Sequence, residues 1–255
     1  MTQEKPSADP IHPVLIVGAG PGDPELLTVK AARLLGEADV VMYDRLVSPP
    51  ILDMVPAGAT RIFVGKAPRE HHMTQDEIND LLVSLAENGR RVMRLKGGDP
   101  FVFGHGSDEA LHLARHGIPF EVVPGVTAAA GCAAYAGIPL THRGLAKGVR
   151  FITGHRQDGQ DLDVDWKTLA DPEITLVVYM GLRNVDRICD ELLAAGMEPE
   201  IPAAAIAKGT TPDQRTVIST LVALPDTVKE AGLEGPTLVI IGRVVSLADI
   251  LGPHL

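Results

Sequence analysis

Cysteine, basic clusters and long apolar segments are scarce in this chain of 255 residues. The 2 cysteines, Cys132 and Cys189, are too few for a disulfide framework and too far apart for a metal-ligand pair. We therefore expect packed thiols in a reducing compartment and no metal site. The formal net charge of −10, with no run of Lys or Arg to contact phosphates, argues against a nucleic-acid-binding protein.

The apolar runs are short, and the N-terminus lacks the features of a secretory signal. The runs 175–180 and 237–241 fall far short of the roughly 20 residues that a membrane-spanning helix needs. Residues 1–10 are polar, with neither the basic start nor the apolar centre of a signal peptide. We therefore expect a soluble, cytoplasmic protein that does not enter a membrane, with a disordered lead-in at 1–12.

The composition is that of a globular protein, with 45% hydrophobic and 22% charged residues. Short β-branched runs alternate with helical periodicity, which is typical of mostly parallel sheets covered by helices. Gly, Pro and polar residues interrupt this pattern from Gly137 to Gly148. We therefore predict two α/β domains, 13–138 and 149–255, with a linker at 139–148 and the active site in the cleft between the domains.

Local signals place the elements within these domains. Thr74-Gln75-Asp76-Glu77 is a capping box at the start of one helix. Asp23 before Pro24 is the predicted N-cap of an earlier helix that ends near Leu35. Strands are predicted at 14–17, 40–43, 61–64, 92–95, 120–123, 149–153, 175–179, 203–206, 216–219 and 238–241.

A glycine-rich segment, Gly97-Gly98-Asp99-Pro100, follows the predicted strand 92–95. Adjacent glycines let backbone groups approach a small molecule closely, and proline ends strand pairing. Lys96 before the segment and the aromatic pair Phe101 and Phe103 after it are more than a tight turn requires. The segment alone is compatible with a turn or with a ligand-binding loop.

A second glycine-rich segment, Gly18-Ala19-Gly20-Pro21-Gly22, suggests two kinds of cofactor. A dinucleotide fingerprint requires a glycine where this chain has Asp23, and Pro21 removes a donor amide, so a nicotinamide cofactor is disfavoured. S-adenosylmethionine has no phosphate to neutralise. Glycine backbones, the Thr127 hydroxyl and the Met180 thioether are groups of the right kind for it, although core packing is an alternative for Met180.

Asp44 and Lys66 each follow a predicted strand, 40–43 and 61–64 respectively. Parallel sheets present functional side chains at the carboxyl ends of their strands, so both residues are candidates for facing one crevice. The alternatives are that Asp44 pairs with Arg45 or caps a turn, and that Lys66 is a solvated loop charge.

Taken together, the motifs resemble those of the uroporphyrinogen-III C-methyltransferases, which belong to the tetrapyrrole methylase family. The resemblance covers about 13–245. It rests on 18–23, 43–47, 94–104, 123–128, 137–143, 178–181 and 212–215. It implies a homodimeric enzyme without a metal. The implied reaction uses S-adenosylmethionine to methylate uroporphyrinogen III at C2 and C7, giving precorrin-2 through precorrin-1.

The resemblance also implies roles for individual residues. Asp44 would be the proton acceptor and Lys66 the proton donor. The implied cofactor contacts are Pro21, Gly97, Gly98, Asp99, Val102, Thr127, Ala128, Met180 and Gly209. The eight substrate carboxylates would be held by Arg143 and His142, with His105 and Asp108 at further substrate positions and Arg45, Lys96 and Arg69 as weaker candidates.

One segment departs from the family. Arg-Gly-Gly-Glu-Glu is usual where this chain has His105-Gly106-Ser107-Asp108-Glu109. A permanent cation is thereby replaced by an imidazole that is mostly neutral at cytoplasmic pH, which predicts that substrate affinity improves as the pH falls.

Two other activities stay open at this point: methylation of another corrin intermediate or a protein side chain, and catalytically silent cofactor sensing. We expect no additional dehydrogenase or chelatase module. The sequence leaves open whether the product enters the sirohaem, cobalamin or haem d1 route.

Overall fold

A computed structural model of the chain describes residues 11–65, 73–154, 162 and 164–252. The chain divides into two compact units, 1–127 and 128–255. Each unit contains one five-stranded sheet. The prediction of two α/β domains is therefore confirmed, while most of the predicted lead-in at 1–12 lies outside the described residues.

Unit 1 is a parallel sheet with helices on both faces. Its elements are β1 Val14–Gly18, α1 Val29–Leu35, β2 Val40–Tyr43, α2 Pro49–Leu52, β3 Thr60–Phe63, α3 Gln75–Glu87, β4 Val92–Lys96, α4 Gly106–Arg115 and β5 Phe120–Val123. The strand order is β3-β2-β4-β1-β5, with every pairing parallel. Parallel pairing brings the carboxyl ends of all five strands to one edge, where the glycine-rich segments lie.

Side chains alternate between the two faces of the sheet in unit 1, and each face is covered by its own apolar layer. Val92 packs in the layer that includes Leu82 of α3 and Leu113 of α4. Met93 and Leu95 pack in the opposite layer, which includes Leu35 of α1. Because successive strand residues point to opposite faces, Arg94 and Lys96 share the face of Val92.

Two helix starts in unit 1 test the predicted caps. Thr74 forms the predicted capping box with Glu77: its Oγ1 accepts the Glu77 N–H at 3.2 Å, and its own N–H donates to Glu77 Oε2 at 2.7 Å. The prediction for Asp23 is wrong in part, because Asp23 caps only a 3-10 turn at Pro24–Leu26. The chain is extended again at Thr28, whose side chain caps α1.

Unit 2 has a mixed sheet. Its elements are α5 Ala128–Tyr135, β6 Gly148–Thr153, α6 Trp166–Leu169, β7 Ile174–Tyr179, α7 Val185–Ala194, β8 Pro202–Ala207, β9 Arg215–Thr220, α8 Leu224–Glu230, β10 Thr237–Ile241 and α9 Ala248–Leu251. The order is β6-β7-β10-β8-β9. Only β6 and β7 pair in parallel, and the other neighbours are antiparallel. The prediction of a mostly parallel sheet is therefore wrong for this unit.

The division between the units precedes α5. Ala129, Cys132 and Ala133 of this helix pack in one apolar cluster with Ile206 of β8 and Ile240 of β10. Leu140 and Leu145, from the segment predicted as a linker, pack against the same cluster. The small-residue helix and the segment 139–148 thus belong to the core of unit 2.

Candidate functional site

The loops after β1, β4 and β5 meet backbone to backbone at the carboxyl edge of unit 1. Gly20 and Gly98 exchange two hydrogen bonds, with N···O distances of 3.1 and 2.7 Å. A Cβ atom on Gly125 would lie 2.3 Å from the Gly98 oxygen, and one on Gly18 would lie 2.6 Å from the Gly125 nitrogen. Only glycine fits these positions, and the residues of the glycine-rich segments are thereby brought together.

Asp99 braces this arrangement with its carboxylate. Its Oδ1 accepts the Phe101 N–H at 2.9 Å, and its Oδ2 accepts the Gly125 N–H at 3.1 Å. Gly97 packs closely on the loop after β2, since a Cβ there would lie 2.5 Å from Leu46 Cβ. The segment Gly97–Pro100 is therefore more than an isolated turn, because it contacts three neighbouring loops.

The remaining cofactor positions predicted in unit 1 flank these glycines. Pro21 follows the Gly20 bridge, and Val102 donates to the Asp99 carbonyl in a turn at 3.3 Å. Pro21, Val102 and Thr127 are each half-buried. All three have partly accessible side chains, as a ligand contact requires.

Asp44 comes directly after β2 and is half-buried. Its Oδ1 accepts the Leu46 N–H at 2.9 Å, and its Oδ2 lies 3.4 Å from Arg94 Nη2. The alternative that Asp44 caps a turn is confirmed, and its ion-pair partner is Arg94 of β4. Lys66, the predicted proton donor, lies outside the described residues.

A buried charge cluster adjoins Asp44. The side chains of Arg94, Lys96 and Glu109 are 4%, 3% and 0% exposed. Glu109 Oε1 accepts from Arg94 Nε at 2.9 Å and from Lys96 Nζ at 3.0 Å. Burial and, to a lesser extent, the Arg94 charge lower the pKa of Lys96, and Glu109 opposes this shift.

The cluster corrects the interpretation of Lys96 as a weaker candidate for binding substrate carboxylates, since its ammonium group is buried against Glu109. Sequence reasoning missed Arg94 and Glu109. The available signal was a pair of cations at alternate positions in an otherwise apolar strand, which must find a carboxylate if the strand is buried.

His105 and Asp108 lie at the start of α4. His105 has the left-handed backbone conformation, with φ 57°. Both side chains are exposed, by 70% and 54% respectively, and His105 Nδ1 lies 2.9 Å from Asp108 Oδ2. Two of the predicted substrate positions therefore lie side by side and open to solvent.

In unit 2, Met180 follows β7 directly and has a strained backbone. Its φ is 55°, a conformation that costs a residue with a side chain roughly 1–2 kcal/mol. The residue is 49% exposed, which argues against the core-packing alternative. The turn is closely packed, because the Gly154 N–H donates to the Tyr179 carbonyl at 2.6 Å and a Cβ on Gly154 would lie 2.5 Å from Gly181 Cα.

Gly209 lies in the loop after β8, against α5. A Cβ atom there would be 2.2 Å from Cys132 Sγ. Its neighbours Lys208 and Thr210 both have positive φ, at 49° and 63°. The Thr210 N–H donates to Gln214 Oε1 at 2.7 Å, which holds the loop closed. Ala128, a further predicted cofactor position in this unit, is half-buried at the start of α5.

His142 and Arg143 occupy an exposed turn of unit 2. His142 and Ala146 form an antiparallel bridge, and Gly144 has a φ of 87°. Both predicted substrate side chains are exposed. The turn presents an imidazole and a guanidinium group to solvent.

Both cysteines are buried free thiols, and burial raises the pKa of each to about 12. Across the described ranges, no group of three or more His, Cys, Asp or Glu side chains is arranged to hold a metal ion. Within the same ranges, no helix has the length and apolar character needed to span a bilayer.

Two α/β units with a glycine-lined strand edge match a known family. The sequence model of the tetrapyrrole (corrin/porphyrin) methylase family matches residues 13–225 of this chain. The chain therefore belongs to this family. The resemblance inferred from the motifs is thereby confirmed.

Three relatives illustrate the similarity. The siroheme synthase of Nitrosomonas europaea is 55% identical over 93% of this chain and 50% of its own length. A uroporphyrin-III C-methyltransferase from Thermus thermophilus, solved with S-adenyl homocysteine, is 45% identical over 92% of this chain and 100% of its own, with a TM-score of 0.79. A cobalt-precorrin-4 methyltransferase is 29% identical over 91% of this chain and 95% of its own, with a TM-score of 0.82. The chain spans about half the length of the curated relatives it matches.

Proposed function

We propose that the protein is an S-adenosylmethionine-dependent methyltransferase that methylates uroporphyrinogen III at C2 and C7. The product is precorrin-2, formed through precorrin-1, and S-adenosylhomocysteine is released. The observation that carries this proposal is the 45% identity to the uroporphyrin-III C-methyltransferase of Thermus thermophilus over that chain's whole length. The siroheme synthases, which are more than half identical to this chain, support the same substrate class.

The residues present fit the proposed methyl donor. Gly97, Gly98 and Gly125 carry no side chains at the strand edge, and the partly accessible residues Pro21, Val102 and Thr127 flank them. The positions that would hold it are Pro21, Gly97, Gly98, Asp99, Val102, Thr127, Ala128, Met180 and Gly209. When bound, the donor supplies an electrophilic methyl group on a sulfonium sulfur.

Asp44 is the proposed proton acceptor. Methyl transfer breaks a sulfur–carbon bond, forms a carbon–carbon bond and makes the pyrrole system more acidic, so a proton must leave it. A half-buried carboxylate at the end of β2 is suited to take that proton. Lys66, which follows the next strand along the chain, is the proposed proton donor.

The substrate carries eight carboxylates, whereas the chain has a net charge of −10. Local cations must therefore bind it. The exposed pair His142 and Arg143 is proposed for this role, since a guanidinium group can bind a carboxylate through two parallel hydrogen bonds. His105 and Asp108 are proposed as further substrate contacts at the start of α4.

We also propose a homodimer and a cytoplasmic location, where the product would serve siroheme formation. The two buried free thiols are compatible with a reducing compartment. The similarity to proteins named siroheme synthase supports this route.

The second candidate is methylation of a later corrin intermediate. It is favoured by the TM-score of 0.82 to the cobalt-precorrin-4 methyltransferase, which exceeds that to the uroporphyrin enzyme. Fold similarity does not determine the substrate, however. The sequence identity is 29% to the cobalt-precorrin-4 methyltransferase and 45% to the uroporphyrin-III C-methyltransferase.

The deciding experiment is an anaerobic incubation with uroporphyrinogen III and isotopically labelled S-adenosylmethionine, followed by mass analysis. Two labelled methyl groups per product molecule are expected. Transfer only to a cobalt-precorrin would establish the second candidate, and binding of the donor without any transfer would establish a sensor. Asp44→Asn should abolish turnover while S-adenosylhomocysteine still binds, and normal turnover of this variant would remove Asp44 from the mechanism.

A further inference from the structure

Glu109 is the centre of the buried charge cluster in unit 1. It lies on α4, is 0% exposed, and uses one oxygen, Oε1, to accept from both Arg94 and Lys96. Its other oxygen, Oε2, has no hydrogen-bond partner within the described part of the chain. The position of that single oxygen, Oε1, therefore determines where both cationic groups lie.

Arg94 is held along three edges of its planar guanidinium group. Nε donates to Glu109 Oε1 at 2.9 Å, and Nη1 donates to the Leu95 carbonyl at 3.1 Å. Nη2 faces Asp44 Oδ2 at 3.4 Å, the longest of the three contacts. Because the group is rigid and planar, the two shorter contacts fix its plane, and the third places a cation beside Asp44.

The charges in this cluster balance only when Glu109 is ionised. Arg94 and Lys96 are two buried cations, and Glu109 and Asp44 are the carboxylates that they contact among the described residues. An unpaired buried charge is strongly unfavourable. Loss of the Glu109 charge would leave the two cations facing each other, with Asp44 as their remaining carboxylate.

We propose that Glu109 is a positioning residue for Asp44: by anchoring Arg94, it keeps the guanidinium group at a set distance from the Asp44 carboxylate. Without that anchor, Arg94 moves into a closer pair with Asp44 and occupies the oxygen that accepts the proton. The inference rests on the proposed role of Asp44.

The test is Glu109→Gln, which keeps the shape of the side chain and removes its charge. Turnover is expected to fall about 10- to 100-fold, the effect typical of a misplaced catalytic group. The Michaelis constant for uroporphyrinogen III and the dissociation constant for S-adenosylhomocysteine should stay within about twofold, because neither is set by the Arg94 contact.

Glu37→Gln is the matched control. Glu37 follows the C-terminal end of α1 and forms an exposed pair with Arg33, so the same chemical change occurs in an ion pair outside the buried cluster. This control should leave turnover unchanged. Equal losses in both variants would overturn the inference.

A second variant, Glu109→Gln with Lys96→Met, tests the charge balance. Removing one cation lets the carbonyl oxygen of the introduced amide serve Arg94 without competition from a second cation, so turnover should recover by at least about fivefold over the single variant. The double variant also keeps the test valid if Glu109→Gln does not fold, because replacing Lys96 removes the unpaired positive charge. In that case the double variant should fold and show near-normal turnover.

Three results would overturn the inference: normal turnover in Glu109→Gln, a loss explained by weaker S-adenosylhomocysteine binding, or no recovery in the double variant. Failure of the proposed function is distinguishable, because the natural chain itself would then transfer no methyl groups to uroporphyrinogen III, whereas normal turnover in Asp44→Asn would remove only the role of Asp44. An inactive Asp44→Asn beside an active Glu109→Gln would reject the positioning role alone.

Discussion

His105 Nδ1 lies 2.9 Å from Asp108 Oδ2, so the two residues that differ from the usual family segment contact each other. His105 is an imidazole where the family usually has a permanent cation, and Asp108 is shorter by one methylene than the usual glutamate. The Asp108 carboxylate offsets whatever positive charge His105 carries. A carboxylate at the proposed substrate position would therefore meet a weaker attraction than a permanent cation gives, and we expect this attraction to depend on pH.

His105→Arg should remove this pH dependence. For the natural chain, the Michaelis constant for uroporphyrinogen III should fall as the pH is lowered and the imidazole becomes charged. The effect should be at most about fivefold, because the pair is exposed to solvent. Steady-state rates measured across the range in which an imidazole titrates would show it, and identical pH profiles for both proteins would contradict the prediction.

Gly209→Ala should weaken cofactor binding through a clash inside unit 2. The added Cβ would lie 2.2 Å from Cys132 Sγ, so the loop after β8 must shift. We expect S-adenosylhomocysteine affinity to fall about tenfold, the cost of displacing a positioned contact. Adding Cys132→Ala removes the sulfur and should restore most of the affinity.

Gly58→Ala is the control for the Gly209→Ala variant and its double variant with Cys132→Ala, because a Cβ atom on Gly58 would meet no atom within 4 Å. Calorimetric titration of the single, double and control variants would measure all three effects. Unaltered binding by Gly209→Ala would remove this loop from the proposed cofactor site.

Met180→Gly should separate the contribution of the side chain to cofactor binding from the effect of the left-handed backbone conformation on stability. Glycine relieves the left-handed strain, by about 1 kcal/mol, but increases the entropy of the unfolded chain at a cost of about 0.4–1 kcal/mol. The melting temperature should therefore change little, while affinity for S-adenosylhomocysteine falls. Met180→Leu, which keeps the bulk and the backbone strain, should bind nearly normally. Equal affinity in Met180→Gly and the natural chain would show that the Met180 side chain makes no contact with the ligand.

Asp39 should contribute to stability at neutral pH and lose that contribution in acid. Hydrogen bonds from the Arg91 side chain and then its backbone N–H lower the pKa of Asp39 from 3.8 to about 2. A lowered pKa in the folded state stabilises the protein above pH 3.8, and this stabilisation is lost as the pH falls toward about 2. The melting temperature of Asp39→Asn should thus lie below that of the natural chain at neutral pH, with the gap closing as the pH falls through this window. A gap that is constant with pH would contradict this assignment.

The strands were predictable from the sequence because β-branched runs mark them directly. Val40–Tyr43 and Phe120–Val123 were predicted with their observed bounds. Strand direction in unit 2 was not predictable, because an apolar run reads the same whether its neighbour is parallel or antiparallel. The short helices Pro49–Leu52 and Trp166–Leu169 were missed for another reason, since four residues are too few to show helical periodicity.

The candidate site was predictable only in part. Gly98 and Gly20 were found because adjacent or clustered glycines after a strand indicate close backbone approach. The contact between Arg94 and Asp44 spans 50 positions, and no local pattern indicates it. Charge pairs of this kind depend on which helix covers which strand, so they require the tertiary structure.

The alternation along β4 has a consequence for how the chain assembles. Met93 and Leu95 of this central strand pack in the apolar layer that includes α1. Arg94 and Lys96 lie on the opposite face, where both contact Glu109. Slippage by a single residue would drive both cations into the layer formed with α1 and leave the carboxylate among aliphatic groups. The ionic trio thus penalises any pairing of the middle strand that is shifted by one residue during folding.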